Sequence, residues 1–127
     1  MTAQQALRPR VFRSLSEEAR SIDRTPVGSV GRMHVGGGVE AVWVSKRPDQ
    51  IDPDWFASDR VDVLVLVSGS LRVEFDSPDL PDQDLRVGDV LVLPARQRCR
   101  VYPALDDGGR PAIFVAIYPT DAAGHQA

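Results

Sequence analysis

Asp62, Cys99 and His34 carry the side chains of this sequence that are most suited to chemistry. Asp62 lies in the apolar segment VDVLVLV, Cys99 is the only cysteine, and His34 and His125 are the only histidines. A carboxylate among apolar residues must be paired, protonated or at the wet mouth of a cavity. Asp62 is therefore either a polar anchor or general base in a cavity, or a strand-end carboxylate bonded to an arginine such as Arg60.

Cys99 stands between two arginines, Arg98 and Arg100, shortly after a proline. Because side chains alternate along a strand, Cys99 and Val101 share one face and the arginines share the other. If the arginines face solvent, Cys99 lines a cavity. A free cysteine usually packs as a small hydrophobe, and a reactive thiol is the alternative interpretation.

Two tryptophans and one histidine complete the set of candidate ligand-binding residues. Trp43 is in an apolar strand, and Trp55 lies in the loop that enters the next strand. Aromatic side chains at the mouth of a small barrel can clamp a ligand, or they can fill the core. His34 is either a hydrogen-bonded structural residue or the acid partner of Asp62.

The elements that position these residues are mostly short strands. Ser14 and Glu17 have the spacing of a capping box, which predicts a short helix in SLSEEARSIDR. From residue 27 onward the pattern is β, with a predicted hairpin at Gly36-Gly37-Gly38. Later strands are predicted in VDVLVLVSG, LRVEF, LRVGDVLVLP with its continuation RCRVY, and AIFVAIYP.

This spacing of strands and turns predicts an all-β sandwich or barrel. We expect an N-terminal arm and short helix over residues 1–26, a barrel over 27–119 and a flexible tail over 120–127. The chain has 127 residues, which is the size of one domain.

Charge and composition exclude several classes of partner. The net charge is −3, with an excess of positive charge in residues 1–47 and of negative charge in 48–127. Nucleic-acid binding needs clustered positive charge, which the predicted barrel lacks. No apolar run is long enough to span a bilayer, and no secretory signal is evident. A single cysteine cannot form a disulfide within the chain, so we expect a cytoplasmic protein. From the charge and the apolar pattern we expect no nucleic-acid partner and no membrane partner.

The segment 39–119 resembles a small single-domain cupin, a jelly-roll β-barrel. The second cupin motif runs G-x5-P-x-G-x2-H-x3-N, and Gly88 and Pro94 match its first two fixed positions. Other residues stand where the motif usually has glycine, histidine and asparagine: Arg96, Cys99 and Pro103.

The first cupin motif runs G-x5-H-x-H-x3-4-E-x6-G. Gly69 matches its end, and Asp62 falls at its glutamate. Its histidine positions fall on Phe56 and Ser58, or on Trp55 and Ala57. The resemblance implies a site in which three histidines and a glutamate hold a divalent metal, but the histidines are replaced here. We therefore expect no metal and no other cofactor.

Three functions are compatible with this sequence. The first is a metal-free cupin-like protein that binds or senses a small molecule in the barrel, or acts as an accessory protein. The second is a metal-independent isomerase or epimerase that uses Asp62 as base, with His34 or a tyrosine as acid. The third is a structural or protein-interaction subunit. The resemblance further implies a homodimer.

Overall fold

The structure, a computed structural model, describes residues 9, 22–25, 28–33, 35–104 and 110–120. Every regular element in these residues is a strand. None of the described residues forms a helix that could cross a membrane. The strands are β1 (Ile22–Thr25), β2 (Gly28–Arg32), β3 (Val39–Lys46), β4 (Asp62–Ser68), β5 (Leu71–Phe75), β6 (Gln83–Leu85), β7 (Val90–Leu93), β8 (Cys99–Pro103) and β9 (Ala112–Pro119).

The larger of two antiparallel sheets has six strands in the order β1-β2-β3-β9-β4-β7. Its two longest strands, β3 and β9, pair over their full eight residues. The predicted hairpin between β2 and β3 is confirmed, with φ of 89°, 68° and 83° at Gly36, Gly37 and Gly38. Only glycine adopts three such conformations in succession at low cost.

The smaller sheet has the order β6-β5-β8 and faces the larger one across the core. In β8 the buried residues alternate, so that Cys99, Val101 and Pro103 point inward. The shared face of Cys99 and Val101 is the one that the sequence predicts. The core joins both sheets, and four of its central side chains are Leu64 and Leu66 from β4 with Leu71 and Val73 from β5.

Two predictions about the elements need correction. Residues 22–25, at the end of the predicted helix and just after it, form strand β1, and residues 14–21 lie outside the described part. The segment LRVGDVLVLP is not one strand continued by RCRVY, because β7 lies in the larger sheet while β6 and β8 lie in the smaller. A turn separates β6 from β7: Gly88 has φ 96°, and the Asp89 carboxylate accepts a hydrogen bond from the Arg86 amide (2.8 Å).

The all-β class is therefore confirmed, in the form of two packed antiparallel sheets. Of the predicted N-terminal arm and helix over residues 1–26, only residues 9 and 22–25 are described, and of the predicted tail over 120–127 only residue 120 is described.

Candidate functional site

A cavity of about 630 Å³ is lined by strands from both sheets and by the loop between β3 and β4. Most of its wall is apolar, and the apolar residues are Val30, Val42, Val44, Phe56, Ala57, Leu64, Leu93, Val101, Phe114 and Ala116. The polar lining residues include Thr25, Arg32, Lys46, Asp52, Ser58, Arg60, Asp62 and Tyr118. A pocket of this size with a few polar groups suits a small organic molecule.

Asp62 is the buried polar residue at the start of β4 and lines this cavity. Only 8% of the residue is exposed, and its Oδ1 atom has no hydrogen-bond partner in the described part of the chain. Burial raises the pKa of the Asp62 carboxyl, and a hydrogen bond from the Val63 amide opposes that rise. Arg60, the arginine suggested by the sequence as its partner, lines the same cavity.

The loop over residues 47–61 is held against the cavity by a buried ion pair. Lys46, at the end of β3, lies 2.6 Å from Asp52 Oδ1, and its side chain is 4% exposed. The other oxygen of Asp52 accepts a hydrogen bond from the amide of Val101 in β8 (3.2 Å). Asp52 therefore ties β3 in the larger sheet to β8 in the smaller sheet.

Backbone hydrogen bonds hold the second half of this loop. Phe56 and Cys99 exchange two of them, each of 2.8 Å. The Arg96 amide donates to the Ser58 carbonyl at 2.6 Å. Arg96 adopts φ 70° at the position where the cupin motif usually has glycine, so the backbone there is left-handed despite the side chain.

Cys99 lines the cavity as predicted, with 2% of the residue exposed. Burial raises the pKa of its thiol to about 11, and the nearby negative charges of Asp52 and Asp62 contribute to the rise. The thiol is therefore protonated at neutral pH. This environment favours the interpretation of Cys99 as a packing residue over that of a reactive thiol.

Neither predicted tryptophan lines the cavity. Trp43 lies on the opposite face of β3 from Val42 and Val44 and packs over Gly31, where an added Cβ would approach its ring nitrogen to 2.3 Å. Trp55 lies outside the cavity, where the Arg100 guanidinium stacks 4.4 Å from the centre of its ring. His34 is outside the described residues.

Sequence reasoning missed several cavity residues. Lys46 and Asp52 stand six residues apart, and no motif marks them as a pair. Phe56 and Ser58 were noted only as replaced histidine positions, and Tyr118 is an inward residue near the end of β9. The signal that could have indicated Lys46 is its position in register with the inward residues Val42 and Val44.

The residues that replace the usual cupin ligands do not fit a divalent metal. Phe56 offers no ligand atom, and the thiol of Cys99 is held in its protonated form. No three His, Cys, Asp or Glu residues in the described part of the chain are grouped as metal ligands would be.

Solved structures that share this fold include the following three. Oxalate decarboxylase of Lactobacillus farciminis, in a formate complex, is 17% identical with a TM-score of 0.67; the match covers 79% of this chain and 31% of that one. A cupin-2 domain protein of Shewanella frigidimarina is 15% identical with a TM-score of 0.53, covering 66% and 72% of the two chains. A mannose-6-phosphate isomerase-like protein of Ralstonia eutropha is 22% identical with a TM-score of 0.62, covering 87% and 98%.

These structures define the fold of the chain as a cupin fold. The chain spans about a third of the oxalate decarboxylase that it matches. No protein-family model matches the sequence. No curated protein matches it either.

Proposed function

We propose that the protein binds a small, mostly apolar molecule in the cavity without using a bound metal. The observation that carries this proposal is the cavity of about 630 Å³ between the sheets, with its largely apolar wall. Its volume lies in the range of small-molecule sites, roughly 300–1,000 Å³. A core filled by side chains would have opposed the proposal.

The wall can supply most of the binding free energy through burial of apolar surface. Each Å² of apolar ligand surface removed from water contributes roughly 25 cal/mol. The polar groups of the wall are fewer and partly engaged, since Lys46 and Asp52 bind each other. They can therefore set the orientation of a ligand more than its affinity.

The test is binding of 1-N-phenylnaphthylamine, a probe whose fluorescence rises in apolar surroundings. We expect saturable binding of one probe per chain. Ala116→Phe and Val44→Phe, at two inward cavity positions, should each weaken binding about tenfold or more by filling the cavity. Val87→Phe is the matched control, because Val87 is 61% exposed and lies outside the cavity. If neither cavity substitution weakens probe binding, or if the native protein shows no saturable binding, the proposal is overturned.

Metal-independent acid–base catalysis is a second candidate. Asp62 and Tyr118 line the same cavity, and the raised pKa of Asp62 brings its carboxyl nearer to the range of a general base. One structural neighbour is mannose-6-phosphate isomerase-like. Incubation of mannose 6-phosphate in D₂O tests this directly, because the enediolate formed by proton abstraction at C2 takes up a solvent deuteron at C1 (isomerisation) or at C2 (exchange or epimerisation). Loss of the incorporation in Asp62→Asn would support the candidate, and no incorporation by the native protein would remove this substrate.

A further inference from the structure

We infer that the cavity selects a molecule with an apolar body and one amine or hydroxyl group, which donates a hydrogen bond to Asp62. This inference rests on the proposed binding function and names the class of ligand. Its basis is the Asp62 side chain, which lines the cavity and whose buried Oδ1 atom has no hydrogen-bond partner among the described residues. A buried acceptor without a partner costs free energy that a donor on the ligand recovers.

The apolar surroundings of Asp62 make the cavity selective for a ligand that carries a hydrogen-bond donor. Asp62 pairs with Leu93 across the sheet, and Leu93 and Leu64 line the cavity beside it. An ammonium group in this apolar setting would form a charge-assisted hydrogen bond, which is about twice as strong as a neutral one. An apolar molecule without a donor would leave the carboxyl unsatisfied.

Positively charged side chains in the cavity wall would favour a different class of ligand. Lys46 is already paired with Asp52. Arg32 and Arg60 also line the cavity. A carboxylate-bearing ligand is the alternative that they would favour, and the experiment therefore includes one.

The experiment compares four probes of one shape: benzylamine, benzyl alcohol, toluene and benzoate. Each is titrated into ¹⁵N-labelled protein, and amide shifts of the lining residues give the dissociation constants. We expect benzylamine to bind most tightly, then benzyl alcohol, then toluene. Asp62→Asn should weaken benzylamine about tenfold and leave toluene unchanged, since only the charge-assisted bond is lost. Asp59→Asn, at an exposed position of the same loop, should leave all four unchanged.

The outcomes separate this inference from the proposed function. If toluene binds and benzylamine binds no more tightly, or benzoate binds most tightly, the ligand class is overturned while the cavity remains a binding site. If no probe shifts the lining residues, the proposed function fails as well. NOEs between the benzylamine methylene and the methyl groups of Leu64 and Leu93 give a second readout in the native protein. Their absence with bound benzylamine would place the amine elsewhere and overturn the inference.

Discussion

Arg96 holds φ 70°, a left-handed conformation that costs a residue with a Cβ atom roughly 1–2 kcal/mol. The position is that of a glycine in the cupin motif. Its amide donates to Ser58, so the contact between the loop before β8 and the loop before β4 depends on this conformation. The backbone geometry of the motif thus persists although the residue that favours it has been replaced.

Arg96→Gly should therefore stabilise the protein by about 0.5–1 kcal/mol, because relief of the strained conformation exceeds the added entropy of the unfolded chain. Urea unfolding measures the change. Arg98→Gly is the control two residues away, where φ is not positive, and it should destabilise the protein. If both substitutions destabilise equally, Arg96 is not strained.

Cys99 should react slowly with iodoacetamide in the folded protein. At pH 8 a thiol with a pKa near 11 holds about a hundredfold less thiolate than one at the usual 9.0, and only 2% of the residue is exposed. The labelling rate of native protein should be at least about a hundredfold below that of protein unfolded in urea. Equal rates in the two states would show that the thiol is accessible and ionised.

The residues of β3 show what alternation predicts and what it leaves open. The sequence correctly places Val42 and Trp43 on opposite faces of the strand. It does not decide which face is inward, because both faces are apolar. The pairing with β9 and the approach of Gly31 under Trp43 decide it, and those are contacts between distant segments.

At the scale of elements, the loop over residues 47–61 lines the cavity, and a few polar contacts fix its position. Lys46 binds both the Asp52 carboxylate (2.6 Å) and the Gln50 carbonyl (3.4 Å). The ion pair between Lys46 and Asp52 therefore couples the loop to β3, and the lysine side chain in it is only 4% exposed. Removal of one partner of a buried pair leaves the other charge uncompensated.

Asp52→Ala should destabilise the protein by about 3 kcal/mol, since the buried Lys46 ammonium loses its carboxylate partner and the Val101 amide loses its acceptor. The double variant Lys46→Met with Asp52→Ala should recover part of that loss. Asp49→Ala is the control, because its pair with Arg47 is exposed and should contribute less than about 1 kcal/mol. Thermal or urea unfolding of the four proteins measures these differences, and a loss for Asp52→Ala as small as for Asp49→Ala would contradict them.

Strand boundaries were predictable where glycine or proline interrupts the apolar pattern. The β2–β3 hairpin at Gly36–Gly38 and the turn at Gly69 (φ 77°) follow from local conformational preference. The assignment of β7 and β8 to different sheets does not, because sheet membership depends on which distant strand each one meets. For the same reason spacing could place Asp62 and Cys99 as motif positions but could not reveal Lys46 with Asp52.

At the scale of the whole molecule, two apolar regions remain beside the core. One is the cavity wall between the sheets, and the other is the outer face of the larger sheet, where Val90 and Val92 are 56% and 58% exposed. The cupin fold and the replaced histidine positions were both readable from the sequence, through Gly69, Gly88 and Pro94. The size of the cavity and the exposure of the outer face could not be predicted from the sequence, because both depend on how the two sheets pack.

We propose that the cavity of this cupin fold binds its ligand without a metal. The most direct test is elemental analysis, by inductively coupled plasma mass spectrometry, of protein purified without a metal-affinity tag. Since the usual histidine positions are replaced and the Cys99 thiol stays protonated, we expect each divalent first-row metal at far less than one atom per chain. One tightly held atom per chain, lost in parallel with probe binding on treatment with a chelator, would contradict the claim.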